Sequence, residues 1–264
     1  MKFLKNIGFF LITITLLSSC EEIIELELGN TQNNIVIEGN ISNLPGPYYV
    51  KLTRTVNVNQ PSIFPVIENA QVIISDNEGQ SELLTYVSDG VYQTQNLQGI
   101  EGRTYNLEVN VDGATYTSQS TMPSLVKLDS LMIQKLVFAG VENTSILPVF
   151  TDPKGLRNYY KFVLKVDGVQ DNSFDVDNDN ITDGSVNERP VQTQSLEILP
   201  GNIVDVEMRS IDAATYLYYY TLNQTIDGGP GGGTTPSNPP NGISGGALGL
   251  FSAYTSQTKT IEIP

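Results

Sequence analysis

Four aspartates and one backbone carbonyl have the spacing of a calcium-binding loop. They occupy positions 1, 3, 5, 7 and 9 of the segment 175–184, and carboxylate and carbonyl oxygens are the ligands that Ca²⁺ prefers. Two positions depart from the pattern, because Asn180 stands where glycine is usual and Val186 replaces a bidentate glutamate. The hypothesis is a structural calcium, and the alternative is an acidic surface loop before a strand. The candidate ligands are Asp175, Asp177, Asp179, Ile181 (through its carbonyl oxygen) and Asp183.

Catalytic patterns are incomplete in this chain. Gly242–Gly246 fits the Gly-x-Ser-x-Gly pattern of hydrolases, but that chemistry needs a histidine base and the chain contains no histidine. Transition-metal centres need imidazole or thiolate ligands, and the chain has one cysteine. The 29 acidic residues offer no distinguishable glycosidase pair. We therefore predict a protein that is not an enzyme and requires no cofactor.

The single cysteine, Cys20, lies at the end of a secretory signal. Lys2 and Lys5 precede an apolar run over residues 7–17, which is too short for a permanent membrane helix. Leu17-Ser18-Ser19-Cys20 resembles the bacterial lipobox, in which a diacylglycerol is attached to the thiol. This resemblance predicts a signal peptide over 1–19, cut before Cys20 by signal peptidase II after Sec export. The alternative is an ordinary signal with a chance cysteine.

Composition limits the partners of the chain. Its 14 Lys and Arg against 29 Asp and Glu give a formal net charge of −15, so nucleic acid is excluded as a partner. No internal disulfide can form, and no apolar run after the signal reaches transmembrane length. The acyl chains on Cys20 are the predicted membrane attachment. Residues 20–33 are predicted to be an acidic tether.

Alternating short segments over 34–123 predict an antiparallel β-sandwich. The clearest hairpin joins Thr104–Val111 to Ala114–Ser118 through Asp112-Gly113. Residues 124–264 are predicted to form a C-terminal, mostly-β domain with one short helix and a Gly/Pro-rich loop over 224–246. The predicted fold class is therefore mainly β.

The helix is predicted over Ser210–Asn223, with Asp212 as its N-cap. Its expected apolar stripe contains Ala213, Tyr216, Leu217 and Tyr220. Exposed tyrosine is favoured at protein interfaces. The candidate partner surface contains Tyr48 or Tyr49 and the off-stripe pair Tyr218 and Tyr219.

Several separated motifs resemble one known family. Ala70-x-Val72-x-Ile74 and the Gly102–Val109 segment resemble the carboxypeptidase-regulatory or transthyretin-like sandwich. With the lipobox and Cys20-Glu21-Glu22 in front, and Asn241–Ala253 near the C-terminus, the chain resembles the DUF4249 lipoproteins of Bacteroidetes. That resemblance implies a gene neighbourhood with TonB-dependent outer-membrane receptors.

These observations predict a non-enzymatic lipoprotein anchored in the outer membrane and exposed at the cell surface. Its expected role is that of an accessory or substrate-capture subunit of a TonB-dependent β-barrel transporter. The alternative is a cell-envelope adhesin or structural module that binds glycan or protein without a transporter.

Overall fold

The computed structural model describes residues 33–57, 61–138, 140–227 and 238–264. Strands account for 50% and helix for 6% of the structure, so the predicted mainly-β class with one short helix is confirmed. In this described part, no helix combines the length and apolarity needed to cross a membrane. The strands are β1 (Ile35–Ser42), β2 (Tyr49–Arg54), β3 (Gln71–Asp76), β4 (Ser81–Leu83), β5 (Thr85–Ser88), β6 (Val91–Gln93), β7 (Thr104–Val111), β8 (Ala114–Thr121), β9 (Leu128–Phe138), β10 (Val141–Thr151), β11 (Tyr159–Val166), β12 (Val169–Gln170), β13 (Asp175–Asn178), β14 (Val186–Asn187), β15 (Ile203–Ile211) and β16 (Leu248–Glu262), and the helix is α1 (Ala213–Asp227).

One large sheet runs through both halves of the chain. Its strand order is β12-β11-β15-β16-β1-β2-β6-β5, and β13 also pairs with β11. The β1–β16 pair is parallel, whereas β1–β2 and β15–β16 are antiparallel. Two smaller sheets have the orders β4-β3-β7-β8 and β14-β10-β9. Strand β16 therefore connects the two halves, and the described residues form one compact unit.

The two smaller sheets pack against the same face of the large sheet and enclose two cores. Ile37, Val50 and Leu107 belong to the first core, which is built from residues before 123 together with Ile243, Ala247 and part of β16. Phe150 and Leu164 belong to the second core, which is built from later residues. Alternation along each strand sends one set of side chains into these cores and the other set to the opposite face.

The Asp-Gly hairpin forms as predicted. Strands β7 and β8 pair from Thr104↔Thr121 to Val111↔Ala114. Asp112 and Gly113 at the turn have φ values of 54° and 76°. Positive φ at both turn residues matches the right-handed twist of the two strands, which explains why Asp-Gly is found there.

The helix begins directly after its predicted N-cap, but Ser210 and Ile211 belong to β15, the helix continues to Asp227 instead of Asn223, and it packs through a different face. Asp212 accepts a 2.8 Å hydrogen bond from the Thr215 backbone N–H, so its N-cap role is confirmed. The expected stripe is wrong, because Leu217 and Tyr220 are exposed. The residues that face the large sheet are instead Thr215, Tyr218, Tyr219 and Leu222.

Candidate functional site

A cleft of about 770 Å³ lies between α1 and the face of the large sheet that points away from the cores. Register places Lys161 of β11 opposite Arg209 of β15, and Glu38 of β1 opposite Lys51 of β2. The strands β11, β15, β16, β1 and β2 therefore each contribute side chains to one continuous polar and aromatic floor. The volume is in the usual range for small-molecule sites.

Lys161 is the most unusual group in the cleft. Only 8% of the residue is exposed, and its Nζ lies 3.3 Å from the ring centroid of Tyr219 and 5.8 Å from that of Phe174. Burial, and then the charge of Arg209, lower the pKa of Lys161 to about 7, while Glu207 acts in the opposite direction. Over the described ranges, no hydrogen-bond acceptor or carboxylate pairs with this ammonium group.

Arg209 is held in place from two sides. Its Nε and Nη2 donate hydrogen bonds of 2.7 and 2.9 Å to the carboxylate of Glu207, and the guanidinium lies 4.5 Å from the ring centroid of Tyr254. Burial disfavours the charged form of Glu207, but the hydrogen bond and charge of Arg209 outweigh it and lower the pKa. Nη1 of Arg209 is left without an acceptor in the described structure, so it can donate to a ligand.

The tyrosines of the cleft differ from those of the cores. The hydroxyls of Tyr92 and Tyr160 hydrogen-bond to the Ile67 carbonyl and to Asp152 inside the protein. The hydroxyls of Tyr218, Tyr219 and Tyr254 have no such partner among the described residues, and all three rings line the cleft. Burial raises the pKa of each, so these hydroxyls stay neutral and able to donate near neutral pH.

The structure separates the four tyrosines of the predicted partner surface. Tyr48 is buried, and its hydroxyl donates to the Leu44 carbonyl at 2.7 Å and accepts from the Gly99 N–H at 2.9 Å. Tyr49 is 47% exposed at the edge of the cleft. Tyr218 and Tyr219 also line the cleft, so three of the four candidates belong to a concave site and not to an outer surface of the helix.

Sequence reasoning missed Lys161, Arg209 and Tyr254. Tyr159–Val166 is an apolar and aromatic strand apart from two lysines, Lys161 and Lys165. A lysine within such an apolar strand could have indicated a functional residue from the sequence alone, because lysine is rarely buried without a partner. Arg209 and Tyr254 carry no comparable signal, since their approach depends on the pairing of β15 with β16.

The predicted calcium ligands divide into two groups, so the ligand set given by their spacing is corrected. Asp175 and Asp177 lie in β13, an extended strand, and both bind Arg189, at 2.6 and 2.9 Å. Asp179 and Asp183 follow in a turn, where they accept hydrogen bonds from the N–H groups of Asn158 and Gly155. Ile181 is 95% exposed. The guanidinium of Arg189 therefore neutralises the first two of the predicted ligands.

Asp179 and Asp183 instead meet a residue that sequence spacing did not indicate. Their carboxylate oxygens lie within 4.8 Å of one another and of an oxygen of Asp152. Oxygen donors so close together fit a hard cation such as Ca²⁺. The backbone N–H of Gly184 also donates to Asp152, at 3.3 Å, so part of the arrangement is satisfied by the protein itself. Calcium binding stays a prediction, now limited to these three carboxylates.

A calcium titration tests this prediction. Calcium at 1 mM should raise the melting temperature of the chelator-treated protein, and Asp183→Asn should abolish that rise, because the amide removes one charged ligand. Asp129→Asn is a matched control, since Asp129 is an exposed aspartate that pairs with Lys127 elsewhere. An equal rise in both variants, or none in the parent protein, would contradict a calcium site here.

Cys20 and all of the predicted tether except Asn33 lie outside the described residues. A model of the family described as "Domain of unknown function (DUF4249)" matches residues 21–260. No curated protein matches the chain. The matched range covers the first core, most of the second core, β16 as far as Thr260 and every residue of the cleft named above.

Proposed function

The chain belongs to the DUF4249 family, and from this membership we propose that it is a lipid-anchored outer-membrane protein that captures a ligand in its cleft beside a TonB-dependent β-barrel receptor. The observation that carries the capture role is the cleft itself. It contains an ammonium group, an arginine nitrogen and three tyrosine hydroxyls that have no partner in the described part of the protein. These donors open onto the cleft and are not sealed inside the protein, and several unused donors that converge on one cavity favour a bound ligand.

The membrane position is supported by the sequence before the fold. Leu17-Ser18-Ser19-Cys20 follows an apolar run of signal-peptide length, and Cys20 is the only thiol. Anchoring would confine the cleft to the plane of the membrane, which raises its effective concentration beside any receptor there. Surface exposure and an origin in Bacteroidetes belong to the same proposal, and rest on the resemblance of Cys20-Glu21-Glu22 to surface-export signals.

A transthyretin-like origin of the N-terminal sandwich is also proposed. The support is that β3, β7 and β8 form one layer while β1, β2 and β6 form the other, with a shared apolar core. A non-enzymatic role is supported by the absence of histidine from the whole sequence. The partnership with a receptor rests on resemblance and is an inference by analogy.

A fractionation experiment tests the anchor. Cys20→Ser should move the protein from the outer-membrane fraction to the soluble fraction, or leave an uncleaved precursor, because the hydroxyl cannot replace the thiol as the alkylated group. Ser18→Ala is the matched control, since it changes a flanking residue to another small one and should leave the protein in the membrane. Unchanged membrane attachment of Cys20→Ser would contradict the lipoprotein proposal.

Affinity purification of the tagged parent from detergent-solubilised outer membranes tests the partner. We expect a β-barrel receptor to be recovered with the parent protein and to be lost with Cys20→Ser, which is no longer held beside it. Recovery of other envelope components without a β-barrel would favour the adhesin or structural alternative instead.

A further inference from the structure

Two of the three cationic residues in the described cleft, Lys161 and Arg209, are arranged in a way that lowers stability. Lys161 and Arg209 are direct cross-strand partners, and like charges directly opposite each other are destabilising. Glu207 neutralises Arg209 through two hydrogen bonds, but it leaves Lys161 without an ion-pair partner within the described ranges. Only 8% of the Lys161 residue is exposed, and its Nζ opens onto the cleft without an ion-pair partner among the described residues; a lysine so buried is rare in proteins, because desolvation of a charge is costly.

We propose that the cleft is a binding site for an organic anion, whose carboxylate or phosphate group accepts hydrogen bonds from Lys161 Nζ and Arg209 Nη1. This inference rests on the proposed capture function and names the class of ligand. An oxyanion would give Lys161 the partner that the protein does not provide, through the charge-assisted hydrogen bonds that such groups form with lysine and arginine. The rings of Tyr219 and Tyr254 lie beside these donors and would contact the body of the ligand.

The aromatic rings argue against a cationic ligand. Tyrosine rings can bind cations through their faces. Here Lys161 lies over Tyr219 and Arg209 lies over Tyr254, so each of these rings already has a cation from the protein. A further positive charge would be repelled by both residues and by Lys51 in the same cleft.

A neutral ligand would not explain why Lys161 is buried without an ion-pair partner among the described residues. Tyrosine hydroxyls and rings suffice for the hydrogen bonding and stacking of a neutral molecule, and Lys161 would then still be buried without a counter-charge. The only acidic lining residue in the described cleft is Glu38, which lies opposite Lys51 in the strand register. With Glu38 opposite Lys51 and Glu207 paired with Arg209, Lys161 is the cation of the described cleft that has no acidic neighbour of its own.

Binding should also change the protonation of Lys161. The groups that face it are Arg209 and Glu207 from β15, and Tyr219 from α1. Since the pKa of Lys161 is about 7, most of these side chains are neutral at pH 8 in the free protein. A bound anion favours the charged form, so binding at pH 8 should take up nearly one proton for each ligand.

Isothermal titration of the detergent-solubilised full mature protein tests the site. The probes are benzoate, phenyl phosphate and inorganic phosphate, with benzamide as the neutral analogue of benzoate. We expect benzoate or phenyl phosphate to bind at least about tenfold more tightly than benzamide, because a charged group adds hydrogen bonds to Lys161. Benzoate and phenyl phosphate distinguish a carboxylate from a phosphate ligand, and inorganic phosphate measures the contribution of the organic body.

Three variants make the test specific to Lys161. Lys161→Met should weaken binding of the anions at least about tenfold and abolish proton uptake, measured by titration in two buffers of different ionisation enthalpy. Lys161→Arg should keep anion binding without proton uptake, because arginine is always charged. Lys165→Met, on the same strand and the same face, should change neither. Circular dichroism melts establish that each variant is folded.

Several results would overturn the proposal. They are binding of benzamide as tight as that of benzoate, equal anion affinity of the parent protein and Lys161→Met, or no binding of any anionic probe at 10 mM. Loss of receptor recovery from membranes with intact anion binding would instead reject the transporter partnership and retain the site. Receptor recovery without anion binding would reject the site and retain the partnership.

Discussion

Replacing Arg189 with methionine should lower the free energy of unfolding by about 3–5 kcal/mol. Arg189 binds Asp175 through Nη2 at 2.6 Å and Asp177 through Nε at 2.9 Å, and the side chain of Asp175 is 3% exposed. Its guanidinium also lies 5.7 Å from the ring centroid of Phe162. Removal of one partner leaves a buried carboxylate without its counter-charge, which is among the most destabilising changes that a side chain can cause.

The effect of this substitution should depend on pH. Burial already raises the pKa of Asp175, although Arg189 opposes the rise. Without Arg189 that pKa should increase further, so at low pH the carboxyl group becomes neutral in the folded variant and the loss of stability shrinks. The destabilisation of Arg189→Met should therefore be largest at neutral pH and smaller near pH 4.

Urea denaturation followed by circular dichroism measures both effects. Arg157→Met is the matched control, because Arg157 is exposed and has no ion pair within the described residues, and it should change stability by less than about 0.5 kcal/mol. Combining Arg189→Met with Asp175→Asn should restore part of the loss, since the buried charge is then absent. A loss below 1 kcal/mol in Arg189→Met would mean that the two ion pairs are not part of the stable core.

Arg189 also explains why the sequence indicated calcium where the structure places a strand. The aspartates at 175, 177 and 179 have the spacing of a coiled loop, but every second residue of a β-strand also lies on one side. Only the group that neutralises the aspartates distinguishes a coiled metal-binding loop from a β-strand. Here that group is Arg189, ten or more positions later in the sequence. Spacing alone therefore identified an acidic cluster without showing what neutralises it.

Local patterns predicted most of the strands and the start of the helix. The alternation of Thr104–Val111, the Asp112-Gly113 turn and the Asp212 cap each depend on residues close together in the sequence. The face by which α1 packs could not be predicted in this way. It covers Lys161 and Arg209, so the side chains that face the sheet are Thr215, Tyr218, Tyr219 and Leu222, and not the predicted stripe.

The continuity of the large sheet depends on one long-range pair. Strands β1 and β16 are parallel, with Ile37 opposite Gly249, although more than 200 residues separate them. A Cβ atom at Gly249 would lie 2.0 Å from the Ile37 carbonyl oxygen, and φ at this glycine is +121°. The segment 241–253, which carries the family resemblance, therefore includes a close backbone approach that only glycine allows. No local sequence pattern predicted that Gly249 pairs with Ile37.

Lys161→Met, the variant expected to lose anion binding, should be more stable than the parent protein, by up to about 4 kcal/mol at pH 7. The figure follows from the fall in the pKa of Lys161 from 10.5 to about 7, which measures how strongly the folded protein disfavours its charged form. Methionine has a similar length, carries no charge and can fill the same space against Tyr219. Most substitutions at buried positions destabilise, so the direction of this result is specific.

The pH dependence provides a second test of the same group. Between pH 7 and 10.5 the unfolded chain keeps the proton of Lys161 while the folded protein has lost it. The parent protein should therefore gain stability as pH rises through this window, by up to about 1.4 kcal/mol per pH unit, with no gain from this group below pH 7. The raised pKa of Tyr219 acts in the opposite direction at higher pH, so the comparison belongs between pH 7 and 9.5.

Urea denaturation of the parent, Lys161→Met and Lys165→Met at four pH values measures this slope. Lys161→Met should lack the slope, and Lys165→Met should keep it because the buried ammonium is unchanged. Parallel curves for all three proteins would show that Lys161 is not desolvated in the folded state. If Lys161→Met instead loses both the pH slope and benzoate binding, then Lys161 lowers the stability of the free protein and also binds the anion that offsets this loss. This combination is expected of a binding residue, because such residues are retained for function although they lower the stability of the fold.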